Sequence, residues 1–166
     1  MTITPPPTAQ GLTTEDQAQF RLAVGPSGRL IGIDAGTKTL GLALSDVRRT
    51  IASPLETIRR TKFTADAMRL FAIAAEHEVA GLILGLPRNL DGTEGPRAQA
   101  TRALARNFNK MSPLPVLLWD ERLTTAEAER MLIAADQSRK RRAEVIDKLA
   151  ATIILQSALD RLNQAT

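Results

Sequence analysis

Apolar residues along the chain fall into two rhythms, short unbroken runs and longer stretches with a helical period. Leu30–Ala35 is a compact apolar run closing on an acid, Leu40–Ser45 is a second, and the turn Gly36-Thr37-Lys38-Thr39 joins them. Thr50–Ile58 reads as a weaker third strand, and Pro54 assigns it to an edge or a bulge because proline cannot donate to a ladder. Thr64–His77 carries Ala67, Met68, Phe71, Ala74 and Ala75 at helical spacing. Val79–Leu86 is a buried strand closed by Pro87, and Pro96–Lys110 is helical with its proline tolerated in the first turn. Pro115–Trp119 is a short all-apolar strand. Thr124–Ala135 reads as a helix, with Thr124 or Thr125 as N-cap and Glu127 as capping-box partner, and Ala143–Leu162 is the last and longest helix. The order β-β-β-α-β-α-β-α-α implies an α/β fold. One five-stranded mixed sheet, an antiparallel three-strand meander plus two parallel strands, is flanked by helices.

Residues 1–28, with three consecutive prolines and many Thr and Gln, read as a mostly disordered arm containing a short helix around Thr14–Leu22. The single domain then covers 29–164, consistent with a length of 166 residues. No apolar run approaches the roughly 18–20 residues that span a bilayer, and the N-terminus has neither the basic nor the apolar region of a signal peptide. These features point to the cytoplasm and away from a membrane.

The chain has no cysteine and one histidine, His77. Disulfides, thiolate zinc sites, cysteine nucleophiles and His-rich metal sites are thereby excluded. A bound metal needs oxygen ligands, which favours magnesium or manganese. The formal charge of +4 is a weak pointer to a polyanionic partner. The uninterrupted run Arg139, Lys140, Arg141, Arg142, directly before the last helical stripe, is a stronger one.

Three acids fall where charge is awkward for folding. Asp34 closes the first strand, Glu121 follows the strand Val116–Trp119 beside Asp120, and Asp147 lies in the final helix among Ile146, Leu149, Ala150, Ile153 and Ile154. Each has a structural explanation as well. Asp34 suits an Asx-turn, Asp120 and Glu121 suit a helix cap, and Asp147 suits a pair with Lys148 or Arg142. Brought together, the three would repel and resist desolvation unless a cation neutralised them, and a divalent ion that did so could activate water at a phosphate. Spacing alone leaves both readings open.

The blocks GIDAGTKTLGLALSD (32–46), GLPRNLDGTEGPRA (85–98), DERLTTAEAE (120–129) and SRKRRAEVIDKLAATIILQSALD (138–160) occur in this order. Together they resemble the pre-16S rRNA nuclease family, also called Holliday junction resolvase-like, within the ribonuclease H superfamily. The resemblance runs from Leu30 to about Leu162. It implies a ribonuclease H-like fold, Asp34, Glu121 and Asp147 as catalytic, metal-binding acids, and a role in maturing the 5′ end of 16S rRNA. An rRNA precursor is the expected partner ahead of DNA. The Holliday junction resolvase-like DNA nuclease and a non-catalytic RNA-binding assembly factor are the alternatives. A resolvase cutting two strands favours a homodimer; a ribonuclease making one cut works as a monomer.

Lys38 in the first turn, Arg122 next to Glu121, and the run Arg139–Arg142 are placed to contact phosphate, with surface or loop cations as the plainer reading. Loop 88–95 borders the substrate or is a connector with Thr93 as helix cap. Trp119 belongs to the core, and His77 is a surface or capping residue. The Asp-x-Gly-Thr of the first turn also resembles the phosphate hairpin of actin-like ATPases, but those proteins need a second such domain and a Gly-rich adenosine segment, and neither occurs here.

Overall fold

A computed structural model describes residues 11–124 and 139–164, with side chains described for 11–124 and 148–164. The chain runs β1 (Thr13–Thr14), α1 (Gln17–Val24), β2 (Arg29–Ala35), β3 (Thr39–Ser45), β4 (Ala52–Arg59), α2 (Phe63–Glu76), β5 (Val79–Leu86), α3 (Pro96–Met111) and β6 (Val116–Asp120). A single 3₁₀ turn (Glu121–Leu123) follows, and α4 (Arg139–Gln164) is the last described element. The helix expected over Thr124–Ala135 lies outside the described residues, apart from Thr124 itself.

The strands form one mixed sheet in the order β1-β6-β5-β2-β3-β4. The meander β2-β3-β4 is antiparallel, and β5 and β6 are parallel to β2. β4 is an outer strand, and its ladder shifts register between Leu42 and Ala43, the latter opposite Pro54. The proline that weakened this segment as a strand thus sits at the irregularity.

The sheet has six strands, not five. The sixth is Thr13–Thr14, which pairs in parallel with Val116 and Leu117 of β6. It comes from the segment read as a disordered arm, and so does α1. Asp16 caps α1 by accepting hydrogen bonds from the Ala18 and Gln19 N–H groups (2.9 and 3.3 Å), and Phe20 and Val24 are buried. Two buried side chains in eight residues give too faint a period to outweigh the proline-rich lead-in, which is why composition placed the boundary at residue 28. Residues 1–10 lie outside the described residues.

Strand alternation divides the core between the two faces of the sheet. Ile31, Ile33, Leu40, Leu42, Leu82, Leu84, Val116 and Leu118 pack with Leu70 and Ile73 of α2 and Leu104 and Phe108 of α3. Leu30, Ala43, Ile83, Leu117 and Trp119 pack on the opposite face with Phe20 of α1 and Ala151, Ile154, Leu155 and Leu159 of α4. Trp119 is 1% exposed and is a core residue. His77 is the C-cap of α2, its N–H donating to Ile73 O at 3.1 Å.

α4 lies directly on β2. A Cβ built on Gly32 would come 2.6 Å from Leu155 Cβ and 3.0 Å from the Ala151 carbonyl oxygen, so only glycine permits this approach. The far end of α4 reaches the opposite edge of the sheet, where Gln156 accepts from the Ala52 N–H (2.9 Å) and Asn163 donates to Arg49 O (2.8 Å). The amino-terminal part of α4 therefore points toward the edge where β2, β5 and β6 end. No described helix is long and apolar enough to cross a membrane.

Candidate nuclease site

Because β2, β5 and β6 are parallel, Asp34, Leu86 and Asp120 end at one edge of the sheet. The strands bearing Asp34 and Glu121 are parallel but not adjacent, since β5 runs between them. Ile33 pairs with Leu84, which brings Asp34 level with Gly85, and Gly85 pairs with Trp119. Asp34 and Gly85 are each one step from residues packed on α2 and α3, so both lie on the α4 face.

Gly85 allows the two acids to meet across the intervening strand. A Cβ there would lie 2.7 Å from Glu121 Oε1 and 2.7 Å from Ile154 Cδ1. The Glu121 side chain thus lies over the bare backbone of β5, on the side toward Asp34. An isolated glycine inside the apolar run LILGLP is the sequence signal for such an approach.

Asp120 and Glu121 are neighbours in sequence with opposite surroundings. Asp120 accepts from the Arg122 N–H (2.9 Å) and guanidinium (2.7 Å to Nη2), and from Arg88 Nη1 (3.1 Å). Hydrogen bonding to Arg122 is the main reason its carboxyl is held at about 2. Glu121 is half-buried, and its pKa is raised, first by burial and then by the negative charge of Asp34. The Arg97 charge partly opposes this rise. Of the adjacent acids, Asp120 is committed to arginines and Glu121 is the one turned inward.

The third expected acid, Asp147, and the run Arg139–Arg142 lie in α4, but their side chains are outside those described. Position 147 is one helical turn before Ala151, the residue whose carbonyl lies over Gly32, and so belongs to the stripe that continues toward the Asp34 end of β2.

Lys38 is exposed at the tip of the turn after Asp34, and its carbonyl accepts from the Arg60 N–H at 2.8 Å. Arg122 is engaged by Asp120 and lies against Gly92, with its Nη1 3.3 Å from a Cβ built there. Thr93 is not a helix cap. Its hydroxyl donates to Asp91 Oδ1 (2.6 Å), and Gly95 occupies the N-cap of α3 without a side-chain bond. Sequence reasoning did not single out Arg60, whose Nη1 donates to Gly36 O (2.6 Å), or Arg97, although Arg97 lies within the quoted GTEGPRA block.

The donor set suits a hard cation. Asp34 and Glu121 offer only carboxylate oxygens, one of them desolvated beside a like charge, and glycine at position 85 leaves room for the Glu121 side chain to lie over β5.

Residues 28–161 match the family described as "RuvX: Holliday junction resolvase". The chain is 62% identical over 149 residues to a Cereibacter sphaeroides protein named "Putative pre-16S rRNA nuclease", covering 90% of this chain and 93% of that one. A Beijerinckia indica protein of the same name is 61% identical over 144 residues, 87% of either chain. Among solved structures, T. thermophilus RuvC in complex with a Holliday junction substrate is 14% identical with a TM-score of 0.53, covering 84% of this chain and 98% of that one. That likeness is one of fold, a mixed sheet with helices on both faces. With four-fifths of its length inside the family match and relatives at about 60% identity along nearly their whole length, the chain belongs to the RuvX family.

Proposed function

We propose that this protein is a metal-dependent endonuclease that cleaves a phosphodiester bond of a pre-16S rRNA at its 5′ end, in the cytoplasm. The observation that carries the reading is Glu121 lying across Gly85 on the side toward Asp34, its pKa raised first by burial and then by the like charge of Asp34. Desolvating two carboxylates together is unfavourable unless a cation sits between them. Asp34 and Glu121, with Asp147 from α4, would hold magnesium or manganese. Bound there, such an ion supplies positive charge at the scissile phosphate and a water of lowered pKa. Asp34 and Glu121 then orient the ion, while Arg97 faces Glu121 from α3. Arg139–Arg142, in the first turn of α4, would neutralise substrate phosphates by their charge. The names of the curated relatives support an rRNA precursor as substrate.

One set of acids cuts one strand, so a monomer suffices for this reaction. The family description also names a junction resolvase, an activity that calls for two sites in a homodimer. Full-length protein incubated with an RNA spanning the 16S 5′ end, and separately with a four-way DNA junction, tests the reading. Cleavage of the RNA with magnesium or manganese, abolished by chelator, is the expected result. Cleavage of the junction alone would assign the resolvase activity instead. Tight RNA binding without cleavage in any divalent metal would make the protein an assembly factor.

A further inference from the structure

Cations crowd the carboxyl edge of the sheet on both flanks of the acidic pair, and the two flanks use their charge differently. On the β6 flank Arg88, Arg102 and Arg122 are each answered by acids of the chain itself. Arg88 pairs with Glu15, with Glu94 (3.1 Å) and with Asp120 (3.1 Å). Arg102 pairs with Glu15 (3.2 Å) and Glu94 (2.6 Å), and Arg122 with Asp120 (2.7 Å). Three arginines face three acids, which leaves little field for an incoming anion.

The β3–β4 flank differs. Lys38, Arg59, Arg60, Lys62 and Arg97 form no ion pair among the described residues. They are also contiguous. Arg59 stands opposite Thr39 in the ladder, and the Arg60 N–H and guanidinium hold the turn after Asp34 through Lys38 O and Gly36 O. Arg60 and Arg97 line one cavity of about 90 Å3 with Ala35, Gly36 and Thr37, immediately beyond Asp34. Lys62 follows as the N-cap of α2. The acids on this flank are occupied, Glu56 by Arg69 (2.7 Å) and the buried Asp66 by the Thr61 N–H (3.1 Å).

We infer that a nucleic-acid strand leaves the acidic pair over this flank, its phosphates met first by Arg97 and Arg60 and then by Lys38, Arg59 and Lys62 along the ends of β3 and β4. The inference rests on the nuclease reading for its starting point, the acids, and adds the direction of the strand. Unpaired cations at a sheet edge concentrate a polyanion where internally neutralised ones do not. Arg59 and Lys62 are exposed and lie beyond the acids, so they contribute to binding without touching the reacting bond.

The test is equilibrium binding of the full-length protein to a pre-16S RNA oligonucleotide in chelator, measured as a function of salt. Removing two phosphate contacts in Arg59→Ala/Lys62→Ala should flatten the slope of log affinity against log salt by about 1.4–1.8, at roughly 0.7–0.9 per contact. Arg102→Ala removes a cation from the neutralised flank and should leave the slope at the parental value. A cooperative melting transition well above the assay temperature establishes that each variant is folded. A parental slope in the double variant, or equal flattening by Arg102→Ala, overturns the track. The two readings fail separately. Normal metal-dependent cleavage with an unchanged slope removes the track alone, whereas flattened binding without cleavage in any metal removes the nuclease and leaves the track.

Discussion

At the scale of single residues, the site depends on a side chain that is absent. Gly85 lies on the strand between the two acids, and any larger residue would occupy the space that Glu121 Oε1 and Ile154 Cδ1 now approach. Both of those atoms are tips of flexible side chains, so Gly85→Ala should be accommodated by their movement at a cost of about 1–3 kcal/mol. Glu121 would be displaced in the process. Metal-dependent cleavage should therefore fall far more than thermal stability, and a variant that cleaves normally per folded molecule would mean that Glu121 need not lie over β5. The acids were legible in the sequence only in part. Asp34 and the pair Asp120–Glu121 stood out by position, but which of the pair turns inward depends on strand alternation carried past Trp119 and on the two arginines that claim Asp120. Arg88 is distant in sequence, so no local pattern could announce its contact.

At the scale of elements, β2, β3 and β5 followed the apolar runs because they are buried on both faces, while α2 kept its expected span but buries Ala67, Leu70, Ile73 and Ala74 and leaves Met68 exposed. The N-terminal elements did not. β1 is two residues long, and α1 joins the domain through Phe20 and Val24, which close on Gly81 of β5. A Cβ at Gly81 would meet Val24 Cγ1 at 2.6 Å and Phe20 Cζ at 3.0 Å. If α1 is as integral as this packing implies, Phe20→Ala should cost about 3–5 kcal/mol of unfolding free energy, as expected for a fully buried aromatic. Denaturant titration measures it. A loss below about 1 kcal/mol would show that the segment before residue 28 is an appendage after all.

At the scale of the whole molecule, the charges on the carboxyl edge act on stability in opposite directions. Glu94 and Asp120 are held at about 2, chiefly by hydrogen bonds to Arg102 and Arg122 respectively, against ordinary values of 4.5 and 3.8. A depressed acid contributes stability above its unfolded value and loses it as pH falls through the folded one. The melting temperature of the metal-free protein should therefore decline from about pH 4.5 toward pH 2, and Arg102→Ala should make the decline shallower. A flat profile over that range would contradict these pairings. Glu121 works in the other sense. Its raised pKa means that it destabilises the fold when ionised, and acid relieves that penalty. A metal ion would relieve the same repulsion at neutral pH.

The most direct measurement is the melting temperature of the parent and of Asp34→Asn, each with and without manganese at neutral pH. The amide keeps the shape of Asp34 and removes one of the two facing charges. Without metal the variant should melt at or above the parent, because repulsion with Glu121 is gone. With metal the parent should rise, as any ligand of the folded state raises it, while the variant should not respond. A variant that melts lower than the parent without metal, yet is stabilised by manganese as the parent is, would show that Asp34 holds the turn and binds no ion.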